Sequence, residues 1–410
     1  MLDVLKIGLI IAGIVMLIRF RVALSITLIV SALILGLLFQ LPAGDILDGG
    51  RRAFLSIENL LLVIALQLVL LFSAVTKENG SMHRAISALS SAVRDARFTV
   101  AIIPAIVGLL PVVGGAMLSA PLVADASDDL RLPPERRTFL NYWFRHVWEY
   151  TLPTFPAVFL TAGITGVSVA ALVAVDVPLT LAAIVAGVIF GFRGVAPFRH
   201  GAGSGSPGEL WKHLADFARN LLPFFFVILL TLGLDIHLAY PMAAVTTAVI
   251  LLDRMPLSRV RQLAQQHLSI DLAFLIWGIM LFKEILQTTQ AMGRIAGELS
   301  AMGIPPVLLV VILPALIAFI TGYTTAFVGL SFPVLVPFLQ PSELSVYYVM
   351  LGLASGICAH LLSPLHACLA MTMQYYQAGM GRTLRLLFLP VAVIFLTGIG
   401  VFGVAWWLAG

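Results

Sequence analysis

The sequence predicts an all-α polytopic membrane protein of about ten transmembrane helices plus two re-entrant hairpins, arranged as two inverted repeats. Three observations lead there. Of 410 residues, 60% are hydrophobic and only 11% are charged, against roughly 25% charged in a soluble domain. Apolar runs long enough for a bilayer recur along the whole chain. The basic residues partition strongly between alternate loops.

The apolar segments fall at about 4–18, 22–41, 58–76, 98–124, 142–163, 167–192, 217–234, 236–252, 269–287, 305–339, 344–378 and 386–408. The first of them is followed by Arg19 and Arg21. A signal peptide has its positive charge before the apolar run, so 4–18 is expected to be the first membrane helix. Segment 98–124 is interrupted by Pro111 and by Gly114-Gly115, and segment 305–339 by Thr321-Gly322-Tyr323-Thr324-Thr325. Each half is too short to cross a bilayer. Helix-breaking backbone at membrane depth must be buried in protein or line a cavity. Both segments are therefore expected to enter and leave on the same side.

Charge tests this topology. With the N-terminus outside and neither hairpin crossing, 19 of the 24 Lys and Arg residues fall on one side and 5 on the other. The positive-inside rule makes the richer side cytoplasmic. The net charge of +4 thus encodes orientation, and nucleic acid is not an expected partner.

The halves, 1–192 and 217–410, also match each other. Pro104, Pro121 and Pro153 recur as Pro314, Pro333 and Pro364, at offsets of 210, 212 and 211. Each half repeats the same order: helices, an amphipathic stretch, a hairpin and a broken helix (142–163, then 344–378). An odd number of crossings per half forces the second copy to insert upside down. Inverted repeats with a site at their mid-membrane interface mark secondary transporters. The linker 193–216 contains Gly201 to Gly208, rich in Gly and Ser. It lacks the Gly-Lys-Ser/Thr ending and the strand of a nucleotide-binding loop.

Candidate site residues cluster at the interruptions. In the first hairpin these are Gly114, Gly115 and Ser119; in the second, Thr321, Gly322, Thr324, Thr325 and Ser331. Neither break has a neighbouring basic residue in sequence. Free helix N-termini there would hold an anion without one. In the broken helices Thr154, Ser363 and His366 extend the set, with Ser363-Pro364 reading as an N-cap followed by proline. Glu149 and His360, each four residues before its aligned proline, are the candidate coupling residues. The competing reading pairs Glu149 with Arg145 or His146 near the cytoplasmic interface, and makes His366 a satisfied core histidine. Freed carbonyls would suit Na⁺; no organic cofactor is implied. Cys358 and Cys368 lack any metal-type or disulfide spacing and are expected to be buried and inert. Trp406 and Trp407 suit an interfacial belt.

The run Pro111-Val112-Val113-Gly114-Gly115-Ala116-Met117-Leu118-Ser119-Ala120-Pro121, with the break at Ser363-Pro364, resembles an uncharacterised family of prokaryotic integral membrane proteins, the DUF401 type. That family in turn is similar to the ion-transporter superfamily of gluconate, citrate, C4-dicarboxylate and arsenite carriers. The resemblance implies two re-entrant hairpins, elevator-like motion and often a homodimer. Where sodium–dicarboxylate carriers have Ser-Asn-Thr at the tips, this chain has Val113-Gly114-Gly115 and Thr321-Gly322-Tyr323-Thr324. No carboxylate-binding residue is carried over.

The expected function is Na⁺- or H⁺-coupled uptake or exchange of a small organic anion across a prokaryotic cytoplasmic membrane, without enzymatic activity. The alternatives are an intramembrane enzyme acting on a lipid-linked substrate, and a channel.

Overall fold

A computed structural model describes residues 2–93, 95–109, 115–198, 207–303, 305–339 and 344–409. These residues form twenty α-helices and no β-strand. The first half contains α1 (Leu2–Arg19), α2 (Leu24–Leu38), α3 (Ala43–Leu55), α4 (Ile57–Glu78), α5 (Ser81–Ala92), α6 (Ala96–Val107), α7 (Ala116–Ala126), α8 (Pro134–His146), α9 (Pro156–Thr165) and α10 (Val169–Gly191). The second contains α11 (Pro207–Ile228), α12 (Ala239–Leu252), α13 (Leu257–His267), α14 (Ile270–Thr288), α15 (Ala291–Ala301), α16 (Pro306–Thr321), α17 (Thr324–Leu339), α18 (Ser345–Leu361), α19 (Ala367–Tyr376) and α20 (Met380–Ala409).

Local chemistry sets several starts. Ser56, Ser168 and Ser269 cap α4, α10 and α14 by accepting from Asn59, Ala171 and Leu272 N–H at 3.3, 3.1 and 3.1 Å. Four helical stretches among the described residues are long and apolar enough to cross a membrane: Ile57–Glu78, Val169–Gly191, Gly208–Gly233 and Met380–Ala409. Eight shorter apolar helices accompany them. Their outward faces expose large apolar side chains, among them Leu5, Leu9, Ile26, Leu181, Phe225, Phe226, Ile312, Leu316 and Leu396. Exposure on that scale is consistent with an α-helical membrane protein whose outer solvent is lipid.

The halves interlock. α2 packs on α14, and α12 packs on α4. α3 lies on α14, and α13 on α4. α7 reaches α19 and α17 reaches α9, while α10 and α20 pack directly together. α6–α7 and α16–α17 each fold back as a helical hairpin against α8 and α18 respectively.

Polar contacts gather at the two ends of α4. Near its start, Arg52 donates to Glu284 at 2.8 Å; at its end, Arg259 pairs with Glu78 at 2.6 Å and the capping residue Asn79 donates to Asp253 at 2.6 Å. Arg294 also pairs with Asp3 at 2.6 Å.

Several boundaries differ from the sequence expectation. The stretches of α3 and α13 are amphipathic helices too short to register as apolar runs. The expected linker 193–216 is helical from Pro207, because Pro is favoured at a first helical position; residues 199–206 lie outside the described set. The element expected at 142–163 begins at Pro134 and is two helices separated by a turn region.

Packing makes a direct prediction. A Cβ at Gly356 would meet the Phe327 ring, whereas nothing lies within 4 Å of one at Gly13. Gly356→Ala should lower the thermal unfolding midpoint in detergent, by an overpacking cost of about 1–3 kcal/mol. Gly13→Ala should hold or raise it, through a helix-propensity gain of about 0.5–1 kcal/mol.

Candidate functional site

Both broken helices part where the sequence indicated, and both breaks carry structure. α8 ends at His146, and α9 begins with Pro156 at its first turn. Between them Glu149 N–H bonds to His146 O at 3.2 Å, and Leu152 N–H to Trp148 O at 3.0 Å. α18 ends at Leu361; Ser363 N–H bonds to His360 O at 3.0 Å and His366 N–H to Ser363 O at 3.2 Å before α19 begins. The cap of α19 is His366, not Ser363, and the cap of α9 is Phe155, not Thr154. Ser363 instead donates to Phe319 O at 2.7 Å, tying its break to the end of α16.

The hairpin tips press against these breaks. Gly322 turns with φ +64°, and a Cβ there would lie 2.5 Å from the Leu365 carbonyl carbon. Gly115 backs onto the Arg145 guanidinium so closely that a Cβ would overlap it. Gly108 is packed equally tightly on the Arg145 backbone. Gly114 lies outside the described residues.

The break residues then meet one another. Tyr142 donates its hydroxyl to Leu361 O at 3.1 Å and is 2.7 Å from His366 Nδ1. The His366 ring lies 3.7 Å from the His360 ring and 4.9 Å from that of His146, centre to centre. His146 Nδ1 is 2.5 Å from Tyr142 O, and its Nε2 is 3.9 Å from Glu149 Oε1. One ring nitrogen each of His146 and His366 lie with Cys368 Sγ inside a 4.8 Å circle of mutual distances.

Some predicted residues are thereby satisfied, others not. Ser119 Oγ is 2.6 Å from Asn141 Oδ1, Thr321 Oγ1 donates to Ile317 O at 2.8 Å, and Ser331 Oγ to Phe327 O at 2.5 Å. Thr324 opens α17 half-buried. Thr154 Oγ1, Thr325 Oγ1, Glu149 Oε2 and His360 Nδ1 are buried without a hydrogen-bond partner.

Burial also corrects one premise. A basic residue does stand beside the first tip: Arg145, only 3% exposed, arrives from α8. Sequence distance hid it, and its apolar neighbours were the only clue. Asn141 and Tyr142 were likewise not singled out, and Cys368, expected to be inert, lies beside His146 and His366. Asp176 was overlooked as well, though it is the lone acid in apolar α10. It is fully buried, with both carboxylate oxygens unpaired among the described residues.

A cavity of about 530 Å³ opens elsewhere, lined by Arg52, Asn59, Asp235, His237, Lys283 and Glu284 among others. Partial burial pushes the His237 imidazole below its ordinary pKa. None of the hairpin-tip residues lines this cavity.

The hydrogen-bond pattern separates structural from available hydroxyls. Asn141 also donates to Ala116 O at 2.9 Å. Asn141→Leu should destabilise the protein by about 1–3 kcal/mol, because it orphans buried partners. Thr154→Val should leave the unfolding midpoint unchanged or raise it, since its hydroxyl is buried unpaired. Thermal denaturation of both variants checks the contrast.

No curated protein matches the chain. A family described as "Protein of unknown function (DUF401)" matches residues 2–405. That match runs through both hairpins, both breaks and the central histidine cluster, and the chain belongs to the DUF401 family.

Proposed function

We propose that the protein is a secondary active transporter that takes up or exchanges a small organic anion, coupled to Na⁺ or H⁺, by elevator-like alternating access. One observation carries this: two hairpin tips and two helix breaks meet around Arg145, Glu149, His360 and His366. Four helices, α7, α9, α17 and α19, begin at these interruptions. Their free N–H groups and dipoles favour an anion. Arg145 adds a full positive charge beside the first tip.

The paired contacts of the halves support inverted repeats with a fold of about ten crossings and two re-entrant hairpins. Ion pairs support the proposed topology too. Arg52–Glu284 and Arg294–Asp3 each join residues assigned outside, whereas Arg259–Glu78 and Arg382–Glu135 join residues assigned inside. The N-terminus is then external, in a prokaryotic cytoplasmic membrane. The hairpins and broken helices form the moving unit, and α2, α4, α12 and α14 form the scaffold, which a homodimer would brace. Glu149, His360 and the unpaired Asp176 are the coupling candidates. Thr325 offers an unused hydroxyl to the solute.

A second reading, an intramembrane enzyme acting on a lipid-linked substrate, is favoured by one observation: His146, His366 and Cys368 form a compact buried set, with Glu149 3.9 Å from His146. A lipid-product assay on purified protein separates the two.

A thermal-shift screen of small organic anions, with and without Na⁺ and at two pH values, tests the proposal. A solute that raises the unfolding midpoint should also be accumulated by proteoliposomes with saturable kinetics. The double variant Thr324→Val/Thr325→Val should keep the basal midpoint and lose the solute-induced shift. An undiminished shift in that variant rejects the placement of the site.

A further inference from the structure

We propose that His146, His366 and Cys368 form a binding site for a divalent transition-metal ion of the zinc class, with Glu149 beside His146. The ligand atoms of the first three lie within 4.8 Å of one another and all three residues are buried. In a tetrahedral zinc site, Zn–N of 2.0–2.1 Å and Zn–S of 2.3 Å put neighbouring ligand atoms about 3.3–3.6 Å apart. Contraction by about 1 Å, within rotamer adjustment, closes the present cluster to that size.

The hydrogen bonds around the cluster orient it. The Tyr142 hydroxyl lies 3.1 Å from Leu361 O and 2.7 Å from His366 Nδ1, so Nδ1 is engaged and Nε2 is the nitrogen turned away from Tyr142. His146 Nδ1, 2.5 Å from Tyr142 O, can only donate to that carbonyl. The His146 ring is therefore held with its lone pair on Nε2, and the His366 ring is oriented through Nδ1. Metal-binding histidines are held the same way, by a second-shell acceptor on the other nitrogen.

Charge and position agree. Glu149 Oε1 stands 3.9 Å from His146 Nε2, too far for a hydrogen bond, and Glu149 Oε2 is buried without a partner. A Cys368 thiolate would offset one of the ion's two charges. Two imidazoles and one thiolate are a borderline-soft set that favours zinc over magnesium or calcium. The ligands sit where helices begin or end. His146 is the last residue of α8, His366 caps α19, and Cys368 is in the first turn of α19. An ion there would clamp the first half of the chain to the second. On binding, the Cys368 S–H bond breaks, the sulfur–metal bond forms, and the proton passes to solvent. The site stands on these distances alone and does not depend on the transport reading.

Purified protein, stripped with a chelator, should be titrated with Co²⁺ as a spectroscopic probe and then with Zn²⁺. Expected are one ion per chain, tetrahedral d–d bands, a thiolate-to-cobalt charge-transfer band, displacement by Zn²⁺, and release of one proton per ion. Cys368→Ser should abolish the charge-transfer band and weaken binding by about tenfold or more. Cys358→Ser, whose sulfur lies apart beside Tyr150 and Val391, should change neither. A wild-type spectrum without the charge-transfer band overturns the assignment, as does a band that survives Cys368→Ser. The wild-type titration decides the matter even if a variant misfolds.

Discussion

A backbone carbonyl freed inside a bilayer has no water to turn to, and the centre of this fold is organised by that constraint. Each interruption leaves orphan carbonyls, and a side chain from a different element reaches them. Trp148 Nε1 donates to Ala105 O at 2.9 Å, in the last turn of α6. Ser363 donates to Phe319 O at the end of α16, and Tyr142 to Leu361 O at the end of α18. Ser355 donates to Val311 O of α16 at 2.6 Å, close to the hydrogen bond that Pro314 removes. Breaking a helix here is tolerated because another broken helix supplies the donor. The interruptions therefore have to sit together.

That requirement gives the site its character. Pulling the breaks and tips into contact brings helix starts and helix ends to one place, so the local field is mixed. Anion-favouring N–H groups lie beside cation-favouring carbonyls. Arg145, Glu149 and three histidines are buried in that field. Most hydroxyls there serve the backbone; Thr154 and Thr325 do not. Among the described residues these groups, Asp176 included, are buried without a partner, at a cost in stability that a ligand-binding or coupling role would explain.

Much of this was legible in the chain. Gly114-Gly115 and Thr321-Gly322 mark turns inside apolar runs, and the proline pairs mark breaks, because Gly and Pro act on the backbone locally. Among the described residues α6 is separate from α7, α16 from α17, α8 from α9 and α18 from α19. The caps were misplaced at Ser363 and Thr154, since a side-chain acceptor three atoms away competes with the next turn's carbonyl in ways sequence does not rank. Arg145 was read as an orientation charge because depth along α8 depends on how the first hairpin docks. The His146–His366–Cys368 cluster joins residues more than two hundred positions apart, so no spacing rule could find it. Asp176 needed only one question, what a lone carboxylate does in an apolar helix, and its signal was there to read.

The central claim is that each hairpin returns to the face it left, the two hairpins on opposite faces. Single-cysteine variants in a Cys358→Ser/Cys368→Ser background, labelled in sealed vesicles with a membrane-impermeant thiol reagent, measure it directly. Ser91→Cys and Asp129→Cys flank the first hairpin, and Met302→Cys and Ser345→Cys the second. The account predicts that the first pair reacts only from inside and the second pair only from outside. Labelling of either pair from opposite faces would contradict it.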